Sequence, residues 1–203
     1  MMDELDIALP DDLHRAGRED SALLGAITAD AFRDDPVNDW IFGNETAMRQ
    51  TFRSLARRVY TPRGYACLAG TDAAAMWLGP GASKELPLYA LPGLAASLLA
   101  TGGPRALMRA LAADTALAAH KPKAPHIYLF TIAVRRGRQG QGLGRRLILP
   151  TLAACDRAQR PAYLENSNPA NDGFYRSLGF ESIGEILIAP DAPPLEAMWR
   201  EPR

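Results

Sequence analysis

The chain has 203 residues, 23 basic and 23 acidic side chains, and no formal net charge. That length suits one domain with a substantial hydrophobic core. The charge balance excludes a general binder of nucleic acid or of an anionic membrane, which would carry a large basic excess. Cys67 and Cys155 lie far apart in sequence and suggest neither a disulfide framework nor a zinc site. The first residues, "MMDELDIALPDD", are acidic where a signal peptide is basic and then apolar. The most apolar later run, "LPLYALPGLAASLLATGG", is interrupted by Pro87, Pro92 and Gly93 and is too broken to span a bilayer. A cytoplasmic protein is expected.

In chain order, Leu13–Ala16 reads as a short first strand. Asp20 is a candidate N-cap for a helix with Leu23, Ile27 and Ala31 on one face, ending before Pro36. Residues 47–60 put Met48, Phe52, Leu55 and Val59 on one stripe opposite arginines, a second amphipathic helix. "YACLAG" and "AAAMWLG" read as a strand pair, and residues 86–119 as two helices split at Gly102-Gly103-Pro104. From His126, "HIYLFTIAV" is a strand by its β-branched and aromatic content. A helix over 143–158 follows, bent at Pro150. Then come the strand "AYLEN", the short helix "NDGFYRSL", and the strands "ESIGEILI" and "LEAMWR". Alternating helices and strands predict a single α/β domain over 1–203 with a central mixed sheet.

The segment "QGQGLGRR" (139–146) joins the strong strand to the helix. Helix N-termini leave backbone N–H groups unpaired and carry partial positive charge, so they attract phosphate. Glycine lets the backbone come close, and Arg135, Arg136, Arg138, Arg145 and Arg146 could add charge. The glycines at 140, 142 and 144 are spaced G-x-G-x-G, which fits neither the Rossmann fingerprint nor a P-loop with its Lys-Ser/Thr. A different phosphate-bearing ligand or a plain connecting turn is left.

The longer segment "VRRGRQGQGLGRRLI" resembles the acyl-CoA motif of the GNAT superfamily of N-acetyltransferases, Q/R-x-x-G-x-G/A, with Gln139, Gly142 and Gly144 at the pattern positions. In "AYLENSNPANDGFYRSLGFESIGE", Asn171, Phe174, Tyr175, Gly179 and Phe180 follow in the family's order. "AFRDDPVNDW", "HKPKAPHIYLFTIAV", the Leu-Pro at 149–150, "YLENS" and "MWR" are similar to the puromycin N-acetyltransferase branch. The resemblance implies a GNAT fold: a mixed, mostly antiparallel twisted sheet flanked by helices and splayed in the middle to hold acyl-CoA. The acyl-CoA-binding core would span about 126–188.

The resemblance also implies roles. Backbone groups of Gln139, Gly140, Gln141, Gly142, Leu143 and Gly144, with Arg145, would hold the pyrophosphate of acetyl-CoA. The main chain of Ile132, Ala133 and Val134 would pair with the pantetheine arm, with Asn171 opposite, and a backbone N–H there could face the oxyanion. Tyr175 would protonate the departing thiolate. Glu165, a carboxylate in an apolar strand, is the first candidate for the base or for binding a cationic acceptor; an ion-paired structural glutamate is the alternative. His120 and His126 flank the strand. Asp34, Asp35, Asp39 and Trp40 lie where the superfamily builds its acceptor pocket, with Asp34, Asp35 and Trp40 the candidate contacts. No metal is expected. The expected partner is a small-molecule primary amine, aminonucleoside-type antibiotics among the candidates, acetylated by direct attack within a monomer or homodimer. A non-catalytic acyl-CoA sensor and a protein or peptide N-acetyltransferase are the alternatives.

Overall fold

The computed structural model describes residues 5–82 and 86–203. Seven strands, β1 (His14–Arg15), β2 (Tyr65–Ala69), β3 (Ala73–Leu78), β4 (Ile127–Val134), β5 (Ala162–Asn166), β6 (Glu181–Ile186) and β7 (Leu195–Arg200), form one sheet in the order β1-β2-β3-β4-β5-β7-β6. β4 and β5 run parallel, and the other neighbouring pairs are antiparallel. This is the expected mixed, mostly antiparallel α/β sheet. Helices cover both faces, so β2 and β3 are buried at every position and read as unbroken apolar runs.

The helices are α1 (Ser21–Ala31), α2 (Pro36–Phe42), α3 (Glu45–Leu55), α4 (Thr61–Arg63), α5 (Leu91–His120), α6 (Leu143–Arg157) and α7 (Asp172–Ser177). On one face, Leu24 and Ile27 of α1 and Val59 and Tyr60 after α3 pack on Leu68, Met76, Tyr128 and Tyr163. On the other, Leu147, Leu152 and Cys155 of α6 and Tyr175 of α7 pack on Cys67, Trp77, Leu129 and Leu164.

Several boundaries differ from expectation for local reasons. The first helix does stop before Pro36, but Pro36 then starts α2, because Asp35 accepts from the Asn38 N–H as an N-cap and proline fits the first helical turn. Asp20 makes no side-chain cap; its carboxylate accepts from Gly17 N at 2.9 Å instead. The second amphipathic helix begins at Glu45, capped by Asn44, and widens to a π-turn over Ala56–Tyr60. α5 breaks where expected, at Gly103 (φ 72°), a backbone angle that favours glycine. α6 continues through Pro150.

Both cysteines are free and buried. Burial pushes each thiol up to about 12. The C-terminal strand is fastened to α6 by a half-buried ion pair, in which the buried Arg200 donates to Asp156 at 2.7 and 2.9 Å and to the Leu178 carbonyl at 2.9 Å. Its hydrogen bonds with Arg200 hold the Asp156 carboxyl below its usual range. A lowered folded-state value means stability present above the unfolded value, near 4, and lost as pH falls through the folded one. Arg200 is 4% exposed, so Asp156→Ala would leave a buried cation without its counter-ion. The expected cost is about 3–5 kcal/mol by urea denaturation at pH 7, shrinking below pH 4. A loss under about 1 kcal/mol would show that the pair does not hold the strand.

Candidate active site in the split between the central strands

The parallel ladder between β4 and β5 covers only Ile127–Leu129 against Ala162–Leu164. Beyond Leu129 the two strands separate, while β4 stays paired with β3 as far as Val134 and β5 with β7 as far as Asn166. The edge of β4 from Phe130 to Val134 thus borders a V-shaped opening, with backbone amides and carbonyls to be satisfied by something other than β5. A β-bulge at Phe130, opposite the step from Met76 to Trp77, sets which side chains flank it. The extra residue resets the alternation of faces, so Ile132 and Val134 pack with α6 and α7 while Ala133 packs on the α1 side.

The glycine segment closes the end of the V nearest α6. Gly137, Gly140 and Gly142 have φ of 76–77°, and Gly142 occupies the N-cap position with no side chain capping the helix. A 15-residue helix therefore presents uncapped N–H groups at this end. A Cβ at Gly140 or Gly142 would meet nothing within 4 Å, so their faces are open. A Cβ at Gly144 would touch Phe174 of α7 and Ile132 of β4 at 3.5 and 3.7 Å, which places α6, α7 and β4 around one point. Gln139 folds back, accepting from Gly137 N at 3.1 Å, and shapes the loop itself.

Most of the nearby arginines are engaged elsewhere. Arg136 pairs with Asp34, Arg138 with Asp72 and Arg146 with Asp12, while the Arg135 Nε–H donates to the Thr71 carbonyl. Arg145, in the first turn of α6, reaches Ser177 at 3.4 Å and has no ion-pair partner among the described residues. The expectation of five phosphate-directed arginines thus reduces to the backbone and Arg145.

Tyr175 stands on the opposite side of the V from β4, its ring against Phe174 and Phe180. Burial first, then the charge of Asp35, raises its phenol above the ordinary value, so the hydroxyl stays protonated. No hydrogen bond from the described residues engages it. Asn171, at the start of α7, leaves its side chain exposed.

Glu165 lies on β5 at the head of an aromatic cluster. The Tyr128 hydroxyl donates to its Oε2 at 2.6 Å, and its charge helps burial raise the phenols of Tyr60, Tyr128 and Tyr163. The Tyr163 hydroxyl is buried beside the same carboxylate. Phe130 stacks on Tyr60 at 4.2 Å, which carries the apolar wall from the bulge to this carboxylate.

The remaining candidates separate. His126 is buried at the far end of β4, hydrogen-bonded to the Ala124 carbonyl and wedged against Tyr163 and Trp199, and His120 is exposed at the end of α5. Neither lies at the opening. Trp40 has one ring face covered by the Arg109 guanidinium at 4.2 Å and its N–H on Asp191 at 3.2 Å, so that face already holds a cation. Asp34 is exposed and ion-paired. Asp35 is buried and points back into the protein. Ser167, which donates to Asp35 at 2.5 Å, and the Arg109–Asp191 pair lie outside the sequence reading; no local pattern marks them, because each acts across a long separation.

Residues 105–182, which include α6, α7 and the whole opening, match the acetyltransferase (GNAT) domain family. Solved structures of similar fold extend the likeness over the whole chain. A Corynebacterium glutamicum protein described as a histone acetyltransferase and related acetyltransferase has a TM-score of 0.70 at 24% identity, covering 94% of this chain and 96% of that one. Drosophila melanogaster polyamine N-acetyltransferase gives 0.61 at 12% identity, over 93% and 98% of the two chains. Arylalkylamine N-acetyltransferase 2 of Aedes aegypti gives 0.58 at 11%, over 94% and 98%. At these identities they establish the fold. Among the described residues no helix is long and apolar enough to cross a membrane.

The loop before α6 holds Gly142 at φ 77°, and an L-residue there costs about 1–2 kcal/mol. Gly142→Ala should therefore lower the urea-denaturation stability by that amount, and an unchanged midpoint would mean that the loop reaches another conformation freely.

Proposed function

We propose that this protein transfers the acetyl group of acetyl-CoA to the primary amine of a small molecule, by direct attack with donor and acceptor bound together. The observation that carries the reading is the V between β4 and β5, closed at one end by the uncapped start of α6. Open glycine faces and unpaired amides suit a pyrophosphate, and the free edge of β4 suits an extended, amide-bearing arm. Acetyl-CoA supplies an activated acyl group as a thioester.

The chain's residues divide the rest of the work. Backbone N–H groups from Gln139 to Gly144, with Arg145, hold phosphate oxygens. The main chain of Ile132, Ala133 and Val134 orients the arm, with the Asn171 side chain on the other flank. Tyr175 keeps its proton at working pH and delivers it to the leaving sulfur. Glu165, framed by Tyr128 and Tyr60, attracts the cationic form of the acceptor and receives its proton, directly or through water. The aromatic walls favour an amine on an apolar body, and the likeness to the puromycin N-acetyltransferase branch makes aminonucleosides the first acceptors to try. The donor is a metabolite of the cytoplasm, where the reaction is placed.

Acetyl-CoA at about one hundred times its Kd should stabilise the protein by about 2.7 kcal/mol, seen as a raised Tm; no shift at millimolar ligand overturns the donor assignment. A thiol-release screen over aminonucleosides, aminoglycosides, polyamines, amino acids and peptides identifies the acceptor. Turnover confined to peptides would favour a protein acetyltransferase, and none at all with intact acetyl-CoA binding would favour a sensor. With the acceptor in hand, Tyr175→Phe should lower kcat by about 100-fold with unchanged acetyl-CoA affinity. Glu165→Gln should raise the acceptor KM by about 10-fold. An unaltered kcat in the first variant, or an unaltered acceptor KM in the second, removes that residue from its role.

A further inference from the structure

The last turn of α1 and the short connection to α2 span the mouth of the V and touch both of its arms. On the β4 side, Asp30 accepts from the Arg136 N–H at 2.9 Å, and Asp34 pairs with the Arg136 guanidinium at 3.1 Å. On the β5 side, Asp35 accepts from the Ser167 hydroxyl at 2.5 Å, one residue beyond the end of β5. The two anchors are unequal. The Asp34–Arg136 pair has side chains 72% and 48% exposed and contributes little in water. Asp35 is 5% exposed, and hydrogen bonds to a buried carboxylate are strong and costly to remove.

The other oxygen of Asp35 accepts from both the backbone N–H and the side-chain amide of Asn38, each at 2.9 Å, which starts α2. One buried anion therefore holds the first turn of α2 and the segment leading from β5 to Asn171 and Tyr175. Its oxygens are committed to three hydrogen bonds inside the protein, an arrangement for tying two segments together rather than for receiving an amine. α2 in turn is held by Arg109, which donates to the Trp40 carbonyl at 2.6 Å and pairs with Asp191 of the β6–β7 loop at 3.3 Å.

We infer that Asp35 is a positioning residue: through Ser167 it couples α2 to the β5–α7 segment, so that filling the V with the donor orders the helix beside the acceptor. The inference rests on the donor reading above. A ligand that fixes the β5–α7 segment lowers the ordering cost left for α2, and that is positive coupling between donor and acceptor without a large movement.

Amide hydrogen exchange on the full chain, with coenzyme A as the probe, tests it without knowledge of the acceptor. In the wild type, coenzyme A should slow exchange across 139–146 and also, about tenfold, across 36–43. In Ser167→Ala the slowing at 139–146 should persist while that at 36–43 falls below about twofold. Asp35→Asn keeps the cap through its one oxygen and turns its amide N–H toward the Ser167 Oγ, which then accepts instead of donating, so the tie persists and the wild-type response should be retained. A purely structural hydrogen bond would instead raise exchange in α2 equally with and without coenzyme A, leaving the ratio unchanged, and that outcome overturns the inference. So does wild-type protection at 139–146 with none at 36–43. No protection at 139–146 in the wild type defeats the donor reading, and the coupling falls with it.

Discussion

The parting of two parallel strands is the constraint on which the rest of the molecule depends. Parallel pairing of β4 with β5 lasts for three residue pairs and then stops, leaving backbone polar groups inside a protein whose remaining strands are paired. Such groups must find partners. Here the flanking elements fall around the gap: α6 starts at one end of it, α7 lines one side, and the α1–α2 connection crosses its mouth. An extended ligand with its own amides is the economical solution to that geometry. The same split lets residues from opposite faces of the sheet sense one another, as Tyr175 and Asp35 do although they pack with different helical layers.

The two halves of the sheet then do different work. The β1–β4 half is buried on both faces and carries the rigid wall, with the Phe130 bulge deciding which side chains look into the opening. The β5–β7–β6 half carries the residues to which the proposed reaction assigns its proton transfers: Glu165 on β5, and Tyr175 on the helix between β5 and β6. The Arg200–Asp156 pair binds this second half to α6, whose uncapped first turn closes one end of the opening. A change in that pair, remote from the opening, would reach the site through the helix.

Much of the fold was legible because local chemistry and tertiary role agree. The G-x-G-x-G spacing excluded two nucleotide loops, and the positive φ values at Gly140 and Gly142 supply the physical reason for glycine at those positions. The short helix carrying Tyr175 was legible from its sequence, and the structure adds the burial that keeps the phenol protonated. α2 was missed although both its signals were present, Asp35 as cap and Pro36 in the first turn; proline was read only as a terminator. The α1–α2 aspartates looked alike in sequence yet play different parts. Asp34 is a solvated ion-pair partner and Asp35 a buried hub, a distinction set by Arg136 and Ser167, which lie over a hundred residues away. Trp40 was misplaced for the same reason, since Arg109 and Asp191 reach it from distant parts of the chain.

The state of the two cysteines bears on how an acyl group can move through this protein. A covalent relay through sulfur needs a thiolate within reach of the donor. Cys67 and Cys155 are sealed in the apolar layer beneath α6, with thiols that stay protonated far above neutral pH. Neither can lift an acyl group from a thioester and hand it on, so the protein has no cysteine through which to run a two-stage exchange. The buried sulfur atoms also leave the surface without a cysteine thiol in the folded state, and in the proposed reaction the thiol released would be the donor's own.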